Sequence, residues 1–223
     1  TFDLKDSVRR IEAFYDDILR HDVRPLTLGG DHTLSLPILR AMAKKHGPLA
    51  LLHIDAHADI NSHMFGEEIA HGTPFRRAFE EELLDADQVF QIGLRGTGYT
   101  AEDFDWASER GFQVVQAEQL WHQSAAPLMD QIRRQIGARP VYLSFDIDSL
   151  DPAYAPGTGT PEIGGLTSIQ ALEIIRGCRG LSLVGADLVE VSPPYDTNGN
   201  TALLAANLLF EMLCVLPGVA YRD

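Results

Sequence analysis

Apolar positions along the chain fall into two alternating kinds of run. Short continuous runs at Pro25 to Gly29, Leu49 to Asp55, Gln88 to Leu94, Phe112 to Val115, Val141 to Asp148 and Leu181 to Leu188 predict buried β-strands. Between them the spacing is helical. Val8, Ile11, Tyr15, Ile18 and Leu19 share one face, and Ala41 to Lys45, Phe75 to Leu84, Leu128 to Ile136 and Ile169 to Arg176 continue the alternation. Strands apolar on both faces and separated by helices predict βαβ units, hence an α/β fold with a parallel sheet covered on both sides. The Leu- and Ala-rich stretch Thr201 to Leu216 is interrupted by Asn207 and Glu211 and stopped by Pro217-Gly218, so it reads as a buried C-terminal helix, not a membrane span. No repeat or linker divides the sequence, and residues 1–223 read as a single domain.

Composition narrows the functional classes. Lys and Arg total 18 against 32 Asp and Glu, a formal charge of −14, which argues against a nucleic-acid or anionic-membrane binder. With 45% apolar and 22% charged residues the chain is globular in type. Two cysteines, Cys178 and Cys214, make a disulfide framework improbable and a reducing cytoplasm the default. Opening at Thr1 in charged sequence, the chain reads as a fragment or a processed product.

The chemistry concentrates at two predicted strand ends. In Leu51-Leu-His-Ile-Asp-Ala-His-Ala-Asp59, an extended backbone turns His53, Asp55, His57 and Asp59 to one side and Leu52, Ile54, Ala56 and Ala58 to the other, at least until the strand ends. Val141 to Ser149 repeats the device with Asp146 and Asp148 opposite Phe145 and Ile147. Burying several carboxylates together costs several kcal/mol per uncompensated ion, so the cluster requires a countercharge, and a divalent metal is the economical one. Carboxylates with one or two imidazoles and no thiolate suit Mn²⁺ rather than structural zinc, and two ions fit the set. Water between two cations loses a proton near neutral pH, which makes a hydroxide nucleophile. A third contributor is Leu28-Gly-Gly-Asp-His-Thr33, where a strand turns through two glycines into a helix and leaves His32 at the same sheet edge. His53 reads as a packed residue behind the site; His21, His46, His63 and His122 read as solvated; Asp31 and Asp151 fix turns. The Gly- and Pro-rich stretch from Pro152 to Gly165 reads as an irregular loop shaping the site's mouth.

Together, GGDHT from Gly29, DAHAD from Asp55, SFDIDSLDPAYAPGTGTPEIGGLT from Ser144 and DLVEVSPPYD from Asp187 resemble the ureohydrolase family of arginases and agmatinases. The resemblance implies a three-layer α/β/α sandwich around a central parallel sheet and a dinuclear Mn²⁺ centre. It assigns His32, Asp55, Asp59 and Asp146 to one ion and Asp55, His57, Asp146 and Asp148 to the other, with Asp55 and Asp146 bridging. By the same resemblance Glu190 pairs with a substrate guanidinium, Thr160 helps to orient it, and His71 carries protons to the leaving amine with Asp59. The implied reaction releases urea and an amine from a linear guanidino compound. Relatives carry a longer segment ahead of Gly29, so an unpaired sheet edge or an incomplete substrate pocket is expected here; the family's habit predicts trimers or hexamers.

The loop Asn61 to Glu68 bears on the substrate. Asn61 falls where arginases use an asparagine to bind the substrate carboxylate, and an amide can donate to that group, whereas the ammonium of agmatine would want Glu67 or Glu68. Met64 can pack against the methylene chain. The resulting order is 4-guanidinobutanoate, then agmatine, then arginine. Two other readings stand beside this one: a dinuclear phosphoesterase, which would want a basic phosphate clamp, and a metal-binding subunit without catalysis.

Overall fold

The structure is a computed structural model and describes residues 3–97 and 102–220. Strands β1 (Leu26–Leu28), β2 (Leu49–Ile54), β3 (Leu84–Leu94), β4 (Gln113–Gln116), β5 (Pro140–Asp146) and β6 (Ser182–Val189) form one sheet in the order β1-β6-β5-β2-β3-β4. Every neighbouring pair is parallel. Helices α1 (Leu4–Ile18), α2 (Ser35–His46), α3 (Pro74–Glu80), α4 (Glu102–Ser108), α5 (Ala126–Ile136), α6 (Ser168–Gly177) and α7 (Asn200–Val215) complete the chain.

Period-two alternation divides the core into two layers. Ala50, Leu52, Ile54, Val141, Leu143 and Phe145 face α5, α6 and α7. Leu49, Leu51 and Tyr142 face the opposite way, against Tyr15 of α1, Leu36 to Met42 of α2 and Phe75 of α3. The result is the three-layer α/β/α sandwich expected. Local signals agree with the packing, as in the α6 start, where Thr167 and Gln170 cap each other's backbone amides.

Connectivity places the site. From β2 the chain proceeds outward to β3 and β4, whereas from β5 it proceeds the other way to β6. The adjacent carboxyl ends of β2 and β5 therefore open into a crevice at a topological switch point, where such sheets bind ligands.

Several sequence expectations are corrected. The helix expected over Phe75 to Leu84 ends at Glu80 because Glu82 takes a left-handed conformation (φ 57°), and Leu84 opens β3 by pairing with Leu49, four residues before the expected strand start. Helix α4 had no periodic signal strong enough to be expected. The C-terminal helix is buried on one side only, since Leu203, Phe210 and Leu213 are exposed. His46 closes α2 half-buried, and burial lowers its pKa, so it is not simply solvated.

Leu143, central in β5 with no exposed surface, offers a test of the layered core. Leu143→Ala is expected to lower unfolding free energy by about 2–5 kcal/mol in urea titrations. A change below about 0.5 kcal/mol would contradict this packing.

Candidate metal centre and active site

Strand β2 stops at Ile54, so alternation carries only His53 and Asp55 onto the α2/α3 face. His57 and Asp59 arrive from the turn that follows, a correction to the extended reading, and Asp59 holds a left-handed backbone (φ 52°). Likewise Asp146 ends β5, but Asp148 lies in a single 3-10 turn capped by the Asp146 carboxylate, which accepts from the Asp148 amide at 2.8 Å. The backbone thus folds back at both strand ends, and this brings the six expected ligand residues together.

At the centre is His32 Nδ1. It lies 3.0 Å from Asp59 Oδ2, 3.1 Å from Asp55 Oδ2 and 3.3 Å from Asp146 Oδ2, yet makes no properly directed hydrogen bond with any of them. Beside it His57 Nδ1 lies 3.1 Å from Asp148 Oδ2 and 3.6 Å from Asp55 Oδ1. Asp55 therefore turns one oxygen toward each histidine. With metal bonds of about 2.0–2.2 Å, neighbouring ligand atoms about one ion stand about 3 Å apart, the spacing seen here.

The surrounding bonds fix which nitrogen is available. Asp187, wholly buried, accepts from Ser35 Oγ (2.7 Å), Tyr142 Oη (2.8 Å) and Ser144 Oγ (2.7 Å). Ser144, its proton given to Asp187, accepts from His32 Nε2 at 2.8 Å. When the ring gives up its second proton, it is therefore Nδ1 whose lone pair faces the three carboxylates, as a metal ligand requires. His53 is different. Gln91 Nε2 donates to Ala58 O (2.7 Å) and to His53 Nδ1 (3.0 Å), so His53 donates from Nε2 to Asp55 Oδ2 at 2.7 Å. Both its nitrogens are spent on hydrogen bonds, so although it sits within reach of the cluster, in this structure it holds Asp55 in place.

Without a cation the cluster holds protons. Burial and the neighbours Asp148 and Asp55 push Asp146 well above the usual carboxylate range; burial and Asp55 raise Asp148. Burial works against ionised Asp55 too, but the facing histidines hold its pKa well below the usual value. Burial alone would lower His57, yet Asp148 and Asp55 push it up to about 12; at His32 too burial opposes the charge, but the nearby carboxylates of Asp146, Asp55 and Asp59 outweigh it and raise its pKa well above the usual value. Displaceable protons on a carboxylate–imidazole set are what a divalent ion replaces. The residues fit such ions.

The cluster opens into a cavity of about 650 Å³. Buried Asp59, Asp146 and Asp148 and half-buried Glu190 line it, together with the half-buried Asn61, Met64 and His71 and the exposed Thr160 and Ile163. Glu190 has φ 65°, strained for a residue with a Cβ. Its Oε1 accepts from the His32 amide at 2.8 Å, and burial pushes its pKa up to about 7. Asn61 Nδ2 donates to Gly72 O at 3.0 Å, which leaves one amide proton and the carbonyl oxygen. Met64 packs on Gly72, and Phe65, exposed at the loop tip, stands over His71 with ring centroids 5.9 Å apart. Thr160 Oγ1 donates to Asp148 Oδ2 at 3.0 Å, so in this structure its hydroxyl serves a carboxylate of the cluster. Glu67 and Glu68, the expected partners for an ammonium, do not line the cavity; Glu67 faces Lys5 at 3.4 Å on the surface. Asp31 and Asp151 hold turns as expected, accepting from the amides of Thr33 and of Ala153, Gly164 and Gly165.

A family model described as the arginase family matches residues 1–214. The chain belongs to the arginase family. It is 70% identical over 222 residues to a guanidinobutyrase of Pseudomonas aeruginosa, covering 100% of this chain and 70% of that protein. To the human mitochondrial guanidino acid hydrolase it is 61% identical over 218 residues, covering 98% and 62% of the two chains. The solved structure of proclavaminate amidinohydrolase from Streptomyces clavuligerus superposes with a TM-score of 0.89 at 42% identity, covering 95% of this chain and 71% of that one. This arginase-family chain thus spans 62–70% of the length of these curated relatives.

Ser35, Tyr142, Ser144, Asp187 and Gln91 escaped the sequence reading. Their signal was present: Tyr142, Ser144 and Asp146 alternate along β5, and Ser144 pairs in register with Asp187, polar positions inside otherwise apolar strands.

In the metal-free protein the folded state retains protons on Asp146, Asp148 and Glu190 that the unfolded chain releases above about pH 4, and on His32 and His57 past about pH 6.5. Excess protons in the folded state make stability fall as pH rises; the depressed Asp55 opposes this only at more acid pH. Melting of chelated protein is therefore expected to shift to lower temperature from about pH 5 to about pH 8, and the gain in Tm on adding Mn²⁺ to grow across that window. A gain that shrinks with pH would contradict the proton-for-metal exchange.

Proposed function

We propose that the chain hydrolyses a linear guanidino compound to urea and an amine at a dinuclear Mn²⁺ site, with 4-guanidinobutanoate preferred, agmatine next and arginine last. The observation that carries this reading is the convergence of His32, Asp55, His57, Asp59, Asp146 and Asp148 at a cavity that also contains Glu190. The names of the guanidinobutyrase and guanidino acid hydrolase relatives support the substrate class. His32, Asp55, Asp59 and Asp146 would hold one ion and Asp55, His57, Asp146 and Asp148 the other. An oxygen-rich donor set with imidazoles and no thiolate favours Mn²⁺ over structural zinc.

The ions supply the positive charge that makes water nucleophilic near neutral pH and steadies the developing negative charge. The chain's residues do the rest. Glu190, tied by Oε1 to the His32 amide, keeps Oε2 for the planar guanidinium, which it orients beside the cluster. The overall reaction takes a guanidinium and water to urea and an alkylammonium, so both protons of the water end on the leaving nitrogen. Asp59, in the cavity wall, takes the first proton, and His71, half-buried in the same wall, delivers protons to the leaving nitrogen. The remaining amide proton of Asn61 faces a substrate carboxylate, and Met64 packs along the methylene chain. The absence of Glu67 and Glu68 from the wall favours a tail without an ammonium.

The phosphoesterase reading finds less support. The Lys or Arg side chain among the described cavity residues is Arg95, and its hydrogen bonds go to backbone carbonyls, so it offers no clamp for phosphate. The non-catalytic reading would have to explain why all six ligand positions, His71 and Glu190 are kept. No helix among the described residues is long and apolar enough to cross a membrane. Assembly into a trimer or hexamer and residence in the cytoplasm belong to the same proposal, and a content of two cysteines, Cys178 and Cys214, fits a reducing compartment.

Urea release from 4-guanidinobutanoate, agmatine and arginine, assayed in parallel with Mn²⁺ and with a chelator, is expected to be fastest with the first and to vanish on chelation. Preference for arginine sinks the ordering, and chelator-resistant turnover sinks the metal reading. His57→Ala and Asp148→Ala are expected to abolish turnover and reduce metal content with the fold kept by circular dichroism; normal turnover in either would refute the dinuclear site.

Loss of one charge-assisted pair sets the scale for Glu190→Gln. Its kcat/KM is expected to fall about ten- to a hundredfold. An unchanged kcat/KM would remove Glu190 from the substrate site.

A further inference from the structure

Arg95 follows β3 and reaches into a region of the cavity wall built from loops. Its Nη1 donates to Gly93 O and Ser149 O, both at 3.1 Å. Nη2 donates to Asp148 O (2.8 Å), Leu150 O (3.3 Å) and Glu162 O (2.6 Å), and Nε to Glu162 O (3.2 Å) and Ile163 O (3.1 Å). Its own amide and that of Gly96 donate to Ala56 O at 2.9 and 2.8 Å. The backbone at Arg95 therefore holds the turn carrying His57, and its side chain ties the turn carrying Asp148 to the loop through Ile163.

That loop supports the same two ligands. Thr160 Oγ1 holds Asp148 Oδ2 at 3.0 Å, and Glu162 Oε1 stands 3.8 Å from His57 Nε2. Around Thr160 to Gly165 the chain has no helix or strand of its own, so its position depends on side-chain anchors. Asp151 secures the far end through the amides of Gly164 and Gly165, and Arg95 secures the near end. A Cβ on Gly165 would run into Arg95 Nη2 and the Asp151 amide, which accounts for glycine there.

We propose that Arg95 is the positioning residue for the His57 and Asp148 half of the metal site, acting through the loop that carries Thr160 and Glu162. The proposal rests on the metal-site reading above. His32, at the other half, is held by Ser144 and Asp187, so the two histidine-bearing halves have different supports, although Asp55 and Asp146 would serve both ions. Arginine suits the task because its planar fork carries five N–H donors, enough for carbonyls on several segments, whereas a lysine ammonium has three and no fixed plane.

The test is Mn²⁺ titration calorimetry with metal analysis of dialysed protein, on wild type, Arg95→Lys, Thr160→Val, Thr160→Ser and Ser144→Ala. Wild type is expected to take two ions. Arg95→Lys and Thr160→Val are expected to keep one and bind the other about ten- to a hundredfold more weakly, with Thr160→Ser close to wild type. Adding His57→Ala to Arg95→Lys should cost little more, whereas the Ser144→Ala effect should add to that of Arg95→Lys because it falls on the other ion. The electron paramagnetic resonance signal of Arg95→Lys at one equivalent of Mn²⁺ should be that of an isolated ion. Two ions bound by Arg95→Lys as in wild type, or both weakened equally, overturn the proposal. If Arg95→Lys fails to fold, Arg95→Gln, which keeps a planar N–H donor on the same backbone, takes its place and is read by the same outcomes. A wild-type protein that takes up no Mn²⁺ overturns the metal-site reading itself, a result distinct from a failure confined to the variants.

Discussion

Four carboxylates, Asp55, Asp59, Asp146 and Asp148, are packed with little or no exposed surface where two neighbouring strands end. In a site of low polarity such a group cannot remain fully ionised without positive charge close by. Two imidazoles supply part of it, and protons supply the rest until divalent ions replace them. Much of the local architecture follows from this demand. The fold-back turns after β2 and β5, the 3-10 turn at Asp148 and the left-handed backbone at Asp59 all bring like charges closer than an extended chain would. Conformations of that cost persist where the surrounding structure over-determines them.

The over-determination comes from two chemically different networks. Behind His32 lie hydroxyls of Ser35, Tyr142 and Ser144 converging on one buried carboxylate, Asp187, on strands and a helix in the rigid part of the sandwich. Behind His57 and Asp148 lie backbone carbonyls converging on one guanidinium, in a region made of loops. An anion gathers donors on one side and a cation gathers acceptors on the other. Both devices orient ligands without adding a competing ligand to the cavity, because their polar groups are spent on one another.

The layered fold and the clustering of acids with histidines were legible in the sequence for a common reason. Both depend on period-two alternation and on charged residues interrupting apolar strands, which are local signals. Alternation failed beyond Ile54, where the chain leaves the sheet, although the residue identities still pointed to the right cluster. The end of α3 was missed because Leu83 and Leu84 prolong a helical spacing that the reversal at Glu82 cuts off. Asp187 and Ser144 were readable in principle as polar positions in buried strands, but their partnership is a register fact between β5 and β6, and register is not written in either strand alone. Arg95 was beyond reach: its partners are carbonyls, which every residue possesses, so no residue type marks them.

The same charge logic connects the metal centre to the proposed reaction. Glu190 touches both, since one of its oxygens holds the amide of His32 while its carboxylate faces the cavity. Burial favours its neutral form, and a cation brought beside it favours ionisation, so binding a guanidinium restores the charge that burial suppresses. One positive charge enters with the substrate and one leaves with the alkylammonium, while urea departs neutral. The cavity therefore faces the same total charge before and after the proposed reaction. What changes is location: the positive charge passes from the guanidinium carbon beside Glu190 to the leaving nitrogen farther along the chain, toward the wall lined by Asn61, Met64 and His71. Selectivity among guanidines must then arise at that wall, where the chain's polar donors are few and loops, not strands, set their positions.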